Sequence, residues 1–182
     1  MRNSEISSAR SLLNRKRIKA VVLILAAVSF FGFLDAGYLT LKHYTQTPIV
    51  CSIFEGCDKV TSSPYAVVFG IPVALLGLIF YLTIFFSSLR IVGAPTSDTI
   101  SNTKAVNFIF VLSAAALLAS VYFVYLQLFV IKAICFYCVL SAASSTALFI
   151  LSLLLKSKLS ELRPPTNSDK LIKKWSNAFF IF

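Results

Sequence analysis

The chain has 182 residues, of which 58% are hydrophobic and only 13% charged, and its mean hydropathy is +0.84. A soluble domain carries about a quarter charged residues, so a water-soluble globule, a disordered chain and a small secreted disulfide scaffold are all excluded. The net charge of +10 would suit a nucleic-acid binder if it formed one patch; here it gathers at the flanks of apolar runs.

In chain order, a basic flank (1–19) precedes an apolar run from Ala20 to Leu41. A polar connection from Lys42 to Pro64 leads to a second run, Tyr65 to Leu89. Arg90 to Lys104 connects to a third, Ala105 to Val130, and a very short joint at Ile131 and Lys132 leads to the fourth, Ala133 to Leu155. Each run exceeds the roughly 20 residues that a helix needs to cross the hydrocarbon core. The pattern predicts an all-α, antiparallel four-transmembrane-helix bundle over 20–155, with a second basic flank over 156–182. Within that flank, Lys170 to Phe182 reads either as a basic segment on the inner leaflet or as a disordered end.

Lys and Arg counts set the orientation. The two flanks and the Arg90–Lys104 connection hold fourteen of the seventeen, whereas the other side holds Lys42, Lys59 and Lys132. Both termini are therefore predicted to be cytoplasmic, which makes the positive charge a topology signal and removes nucleic acid as a partner. Six of the seven tyrosines (all but Tyr81) then fall near the outer face, as an interfacial aromatic belt does.

All four cysteines fall on that outer side: Cys51 and Cys57 in the first connection, Cys135 and Cys138 where the fourth run begins. An extracytoplasmic face is where disulfides form and persist. Cys135-Phe136-Tyr137-Cys138 is a CxxC at a helix N-terminus, where unpaired N–H groups and the helix dipole stabilise a thiolate; Lys132 is expected to add to this. A thiolate is the attacking species in thiol–disulfide exchange. Cys51 and Cys57 lie in a loop with Pro48, Gly56 and Pro64, able to swing toward an external thiol or toward the CxxC. Two exchangeable pairs in series make an electron relay. Structural disulfides, inert thiols and a Cys₄ zinc site compete with this reading, as would a non-enzymatic four-span protein; the C-x₅-C spacing departs from the usual C-x₂₋₄-C of zinc ligands.

Asp35 lies inside the first run, about 9 Å from its outer end at 1.5 Å per residue. An intramembrane carboxyl is a functional candidate by default, and a proton relay competes with a carboxyl satisfied by its neighbours. His43 reads as a solvated interfacial residue. Gly70, Pro72 and Gly77 read as bend or packing positions in the second helix, and Ala114-Ala115-Ala116 and Ser141 to Ser145 as packing positions in the third and fourth.

The ordered set of C-x₅-C, Ser62-Ser63, Phe69-Gly70-Ile71-Pro72 and a CxxC opening the last run resembles the vitamin K epoxide reductase (VKOR) family, in particular its bacterial members, over about Leu34 to Leu155. The DsbB-type thiol oxidases have the reverse order, with their CxxC in the first outer loop. The resemblance implies an oxidoreductase of the bacterial plasma membrane that oxidises a thioredoxin-like protein and passes two electrons to a quinone, ubiquinone or menaquinone. It implies that Cys51 exchanges with the partner, that Cys57 hands over to Cys135, that Cys138 faces the quinone, and that Ser63 helps position the ring. Many bacterial relatives carry a fused thioredoxin-like domain; the flank after the fourth run is too short for one, so a separate DsbA-like partner is expected. The Asn and Tyr that contact quinone oxygens in vertebrate members correspond to Val73 and Ala142, which favours quinone over epoxide as acceptor.

Overall fold

The computed structural model describes residues 2–47, 56–93 and 99–162. Four of its helices are long and apolar enough to cross a membrane, so the chain is a multi-pass membrane protein. Helix α1 runs over Arg2–Thr45, so the basic flank continues the first span as helix. A short helix α2, Cys57–Thr61, is followed by a single 3₁₀ turn at Pro64–Ala66. Helices α3 (Val73–Gly93), α4 (Thr99–Tyr125) and α5 (Phe136–Leu162) complete the bundle. The Lys170 to Phe182 segment lies outside the described residues.

The second span starts later than its apolar run predicts. Strand β1 (Val67–Val68) pairs antiparallel with β2 (Ile71–Pro72), Val67 opposite Pro72 and Val68 opposite Ile71. Phe69 and Gly70 form the turn with φ of +52° and +79°, the left-handed geometry that two-residue hairpins need. Pro72 sits just before α3, where its missing N–H costs nothing. Gly70 and Pro72 therefore build a hairpin ahead of the helix and do not bend it; of the three positions expected to bend or pack the second helix, Gly77 alone lies within α3.

Helix α4 ends in a π-helical stretch over Leu126–Ile131, and Lys132 (φ +53°) closes it in the left-handed conformation. The α4–α5 joint is thus irregular backbone at one end of the bundle, and the N–H groups of Lys132, Ala133 and Cys135 all find their acceptors on Gln127.

Helix α1 packs on α3 and α5, and α4 packs on α5, whereas α3 and α4 touch little. Around the bundle the order is α3, α1, α5, α4, with a seam between α4 and α3. Leu25, Ile84, Ile109, Leu148 and Leu155, nearly or wholly buried, form the core toward the end that carries the N-terminus of α1. Gly32 on α1 lies against the Tyr81 ring, a contact that leaves no space for a Cβ. Tyr81 donates to the Ser141 carbonyl at 2.9 Å, and the two hydroxyls are also 2.9 Å apart, which ties α3 to α5. Ser120 and Ser145 tie α4 to α5 at 2.7 Å. Ser141 and Ser145 thus join helices, as expected of that stretch.

Candidate functional site

The site lies at the end of the bundle where the helices break. Cys135 is the residue immediately before α5. Its carbonyl accepts from Val139 N–H at 3.1 Å, and its Sγ accepts from Cys138 N–H at 3.4 Å. The sulfur thus occupies the capping position that a serine or aspartate oxygen usually takes. Spacing alone would put both sulfurs of the CxxC on one helical face; the structure instead places Cys135 one step outside the helix, with its sulfur folded back over the first turn.

The Cys135 thiol is held well below its ordinary value, at about 7. The largest cause is the hydrogen bond from the Cys138 thiol, assisted by the backbone N–H groups of Cys138 and Tyr137; burial and the Asp35 carboxylate oppose it. Lys132, expected to contribute, is not among the causes; it turns the chain.

Cys57, 1% exposed, and Cys135, fully buried, form one apolar cluster with Val60, against which Cys138 and Tyr137 pack. Cys57 is disulfide-bonded, and Cys135 and Cys138 are free thiols. Cys51 lies outside the described residues. Gly56 allows the close approach: a Cβ there would stand 2.7 Å from the Ile134 carbonyl oxygen and 2.9 Å from the Ile134 nitrogen. The backbone leading into Cys57 therefore rests directly on the backbone leading into Cys135.

Beneath the cysteines is a cavity of about 400 Å³ at the α3–α4 seam. Cys138, Ser63, Val73, Tyr81, Ser141 and Ala142 are among its lining residues. His43 lines it too, and so do Ala115 and Ala116, whose small side chains widen the seam rather than pack a helix into it. The volume falls within the roughly 300–1,000 Å³ of small-molecule sites, and a mostly apolar wall with a few polar groups is the usual composition of such sites. Ser63 Oγ donates to the Val60 carbonyl at 2.7 Å, leaving its oxygen able to accept. Val73 and Ala142 offer no polar contact, so Tyr81, Ser141 and Ser63 supply polar atoms along this wall.

Asp35 lies on the buried face of α1, 8% exposed, and neither carboxylate oxygen has a hydrogen-bond partner. One turn away, Tyr38 packs on Tyr137 of the CxxC with ring centroids 4.9 Å apart. Among the described residues no group of three or more His, Cys, Asp or Glu side chains is arranged to hold a metal.

Two residues escape the sequence reading. Tyr81, the one tyrosine set aside as distant from the outer face, reaches the cavity wall. Gln127 is 4% exposed, and its Oε1 accepts from the Cys135 N–H at 2.9 Å. A lone amide eight residues before the CxxC, within an apolar run, was the available signal.

A thiol-disulfide oxidoreductase of Arabidopsis thaliana, LTO1, is 35% identical to the chain over 121 residues, which covers 65% of this chain and 32% of LTO1. The chain thus matches about a third of that relative's length. The model of the vitamin K epoxide reductase family matches residues 23–153, which contain all four cysteines and most of the membrane-spanning bundle. The chain belongs to the vitamin K epoxide reductase family.

Proposed function

We propose that the chain is a quinone-dependent thiol oxidase of a bacterial plasma membrane, with both termini cytoplasmic and the cysteine pairs outside. The observation that carries this reading is the sequence of contacts at the site: Cys57 clusters with Cys135, and Cys138 borders an apolar cavity. The electron donor is a thioredoxin-like, DsbA-type dithiol. The acceptor is ubiquinone or menaquinone, held in the cavity with its tail leaving along the α3–α4 seam.

The donor's two thiols reduce a Cys51–Cys57 disulfide, and the donor leaves with its own disulfide. Cys57 thiolate then attacks Cys135 of a Cys135–Cys138 disulfide; a Cys57–Cys135 bond forms and Cys138 departs as thiolate. Attack by Cys51 on Cys57 restores the first disulfide and releases Cys135. The low Cys135 pKa makes it a good leaving group in this second step. Oxidation of Cys135 and Cys138 back to a disulfide gives up two electrons and two protons, which convert quinone to quinol. The serine at 63 helps to orient the ring. A thiol and a flat quinone ring meet here in a site that side chains of α3, α4 and α5 keep largely apolar.

Asp35 acts as a proton relay in this scheme. A buried carboxyl without a hydrogen-bond partner is expensive, and one packed beside the cysteine end has a use for which that cost is retained. Asp35→Asn should slow quinol formation while leaving exchange between the cysteine pairs intact; unchanged quinol formation removes the assignment.

The reading is tested by anaerobic mixing of the purified protein with a reduced DsbA-type protein and a soluble quinone. Partner oxidation with one quinol formed per disulfide is the expected result. A protein whose cysteines only staple the bundle would leave both reagents unchanged.

A further inference from the structure

The four residues between the π-helical stretch and α5, 132–135, are held by the side chain and the backbone carbonyl of one residue. The Gln127 carbonyl accepts from the N–H groups of Lys132 and of Ala133, the latter at 3.1 Å, and its side-chain Oε1 accepts from Cys135 N–H at 2.9 Å. Gln127 lies in the π-helical stretch, where the wider turn adds a residue to the end of α4, and it is buried in the bundle beside the joint. The same joint is the surface on which Gly56, the neighbour of Cys57, rests. Gln127 also sits between two cavities, bordering Lys59 and Ala133 above and Cys138 below. No other described side chain is hydrogen-bonded to the backbone of Cys135.

We propose that Gln127 is the positioning residue for the internal electron transfer: its amide oxygen fixes the backbone of Cys135 so that Sγ caps α5 and faces Cys57. The proposal rests on the relay reading above, because a precise Cys57–Cys135 placement matters only if the two sulfurs bond to each other. An N–H without its acceptor in this buried setting would be driven to find another partner, and the joint would shift to supply one. Cys135 would then move relative to Cys57, while the long helices on either side would keep their packing.

The test uses the full chain in lipid nanodiscs, with Cys51→Ser and Cys138→Ser so that Cys57 and Cys135 are the remaining thiols. Copper phenanthroline accepts the two electrons as these thiols lose two protons and form a disulfide, and the rate of that cross-link is measured. Gln127 is compared with Gln127→Leu, which lacks an acceptor, and Gln127→Glu, which keeps an oxygen in either protonation state. Thermal unfolding of each variant reports whether the bundle is intact. The cross-link should form in the parent, about tenfold more slowly in Gln127→Leu, as loss of one buried hydrogen bond implies, and near the parent rate in Gln127→Glu. Equal rates in parent and Gln127→Leu overturn the inference, and so does an equally slow Gln127→Glu, since the acceptor would then not be what matters. A parent that forms no cross-link overturns the relay reading beneath it instead.

Discussion

The two ends of the bundle are built on opposite principles. At the end holding the N-terminus of α1, regular helices bury aliphatic side chains such as Leu25, Ile109 and Leu148, and the buried serines among them, Ser29, Ser88 and Ser152, donate back to carbonyls of their own helices. At the cysteine end the described connections depart from regularity: a 3₁₀ turn, a two-strand hairpin, a π-helical stretch and a left-handed Lys132. Irregular backbone is tolerated in a membrane protein where it is buried in protein or borders a cavity, and here it does both. The regular end supplies the rigidity that lets the irregular end hold sulfur atoms, an unpartnered carboxyl and an open volume together.

That contrast predicts substitutions whose effects separate by end. The largest is Cys138→Ser, which should reduce turnover with dithiol and quinone to background, because Cys135 then has no neighbouring thiol with which to form the disulfide that gives up two electrons; quinol formation measures it. Next is Ala142→Phe, which places a ring in the cavity and should raise KM for quinone about tenfold, the signature of lost binding rather than lost chemistry. Cross-linking of Cys57 to Cys135 should not change in that variant; a parallel loss would mean the cavity and the sulfur contact are one unit.

A smaller effect is read by pH. With its thiol held at about 7, Cys135 should alkylate at a rate that rises with pH and levels off above that value, because the thiolate is the reactive form. Below it the rate falls about tenfold per pH unit, as thiolate fraction does. Cys138→Ala removes the largest cause of the lowering and should move the midpoint upward; a midpoint left in place would shift the credit to the backbone N–H groups. The smallest effect on catalysis belongs to Leu25→Ala, at the other end. It should cost about 2–5 kcal/mol of stability, seen as a lower unfolding temperature, with kcat unchanged.

Much of this division was legible from residue order. The four spans follow from unbroken apolar length, and the cysteine pairs from their placement at the ends of those spans. The start of α3 was not, because Val67, Val68, Phe69 and Ile71 are as apolar as a membrane helix; Gly70 and Pro72 outweigh them by fixing a turn and ending a strand. Lys132 looked like a charge beside a thiol, yet its role is conformational, a property of φ that composition does not encode. The position of Tyr81 along its span suggested distance from the chemistry, but its rotation toward Ser141 depends on how α3 packs on α1 at Gly32. The cavity had no motif at all, since it lies where α3 and α4 touch little.

That sparse packing of α3 on α4 has a consequence for supply. The chamber lies along the seam where α3 and α4 touch little, so on the function proposed above an oxidant dissolved in the bilayer would arrive sideways between those two helices. Its local abundance, and the thickness and fluidity of the surrounding lipid, would then set how often the chamber fills, and the membrane would be a working component of the proposed reaction rather than its container.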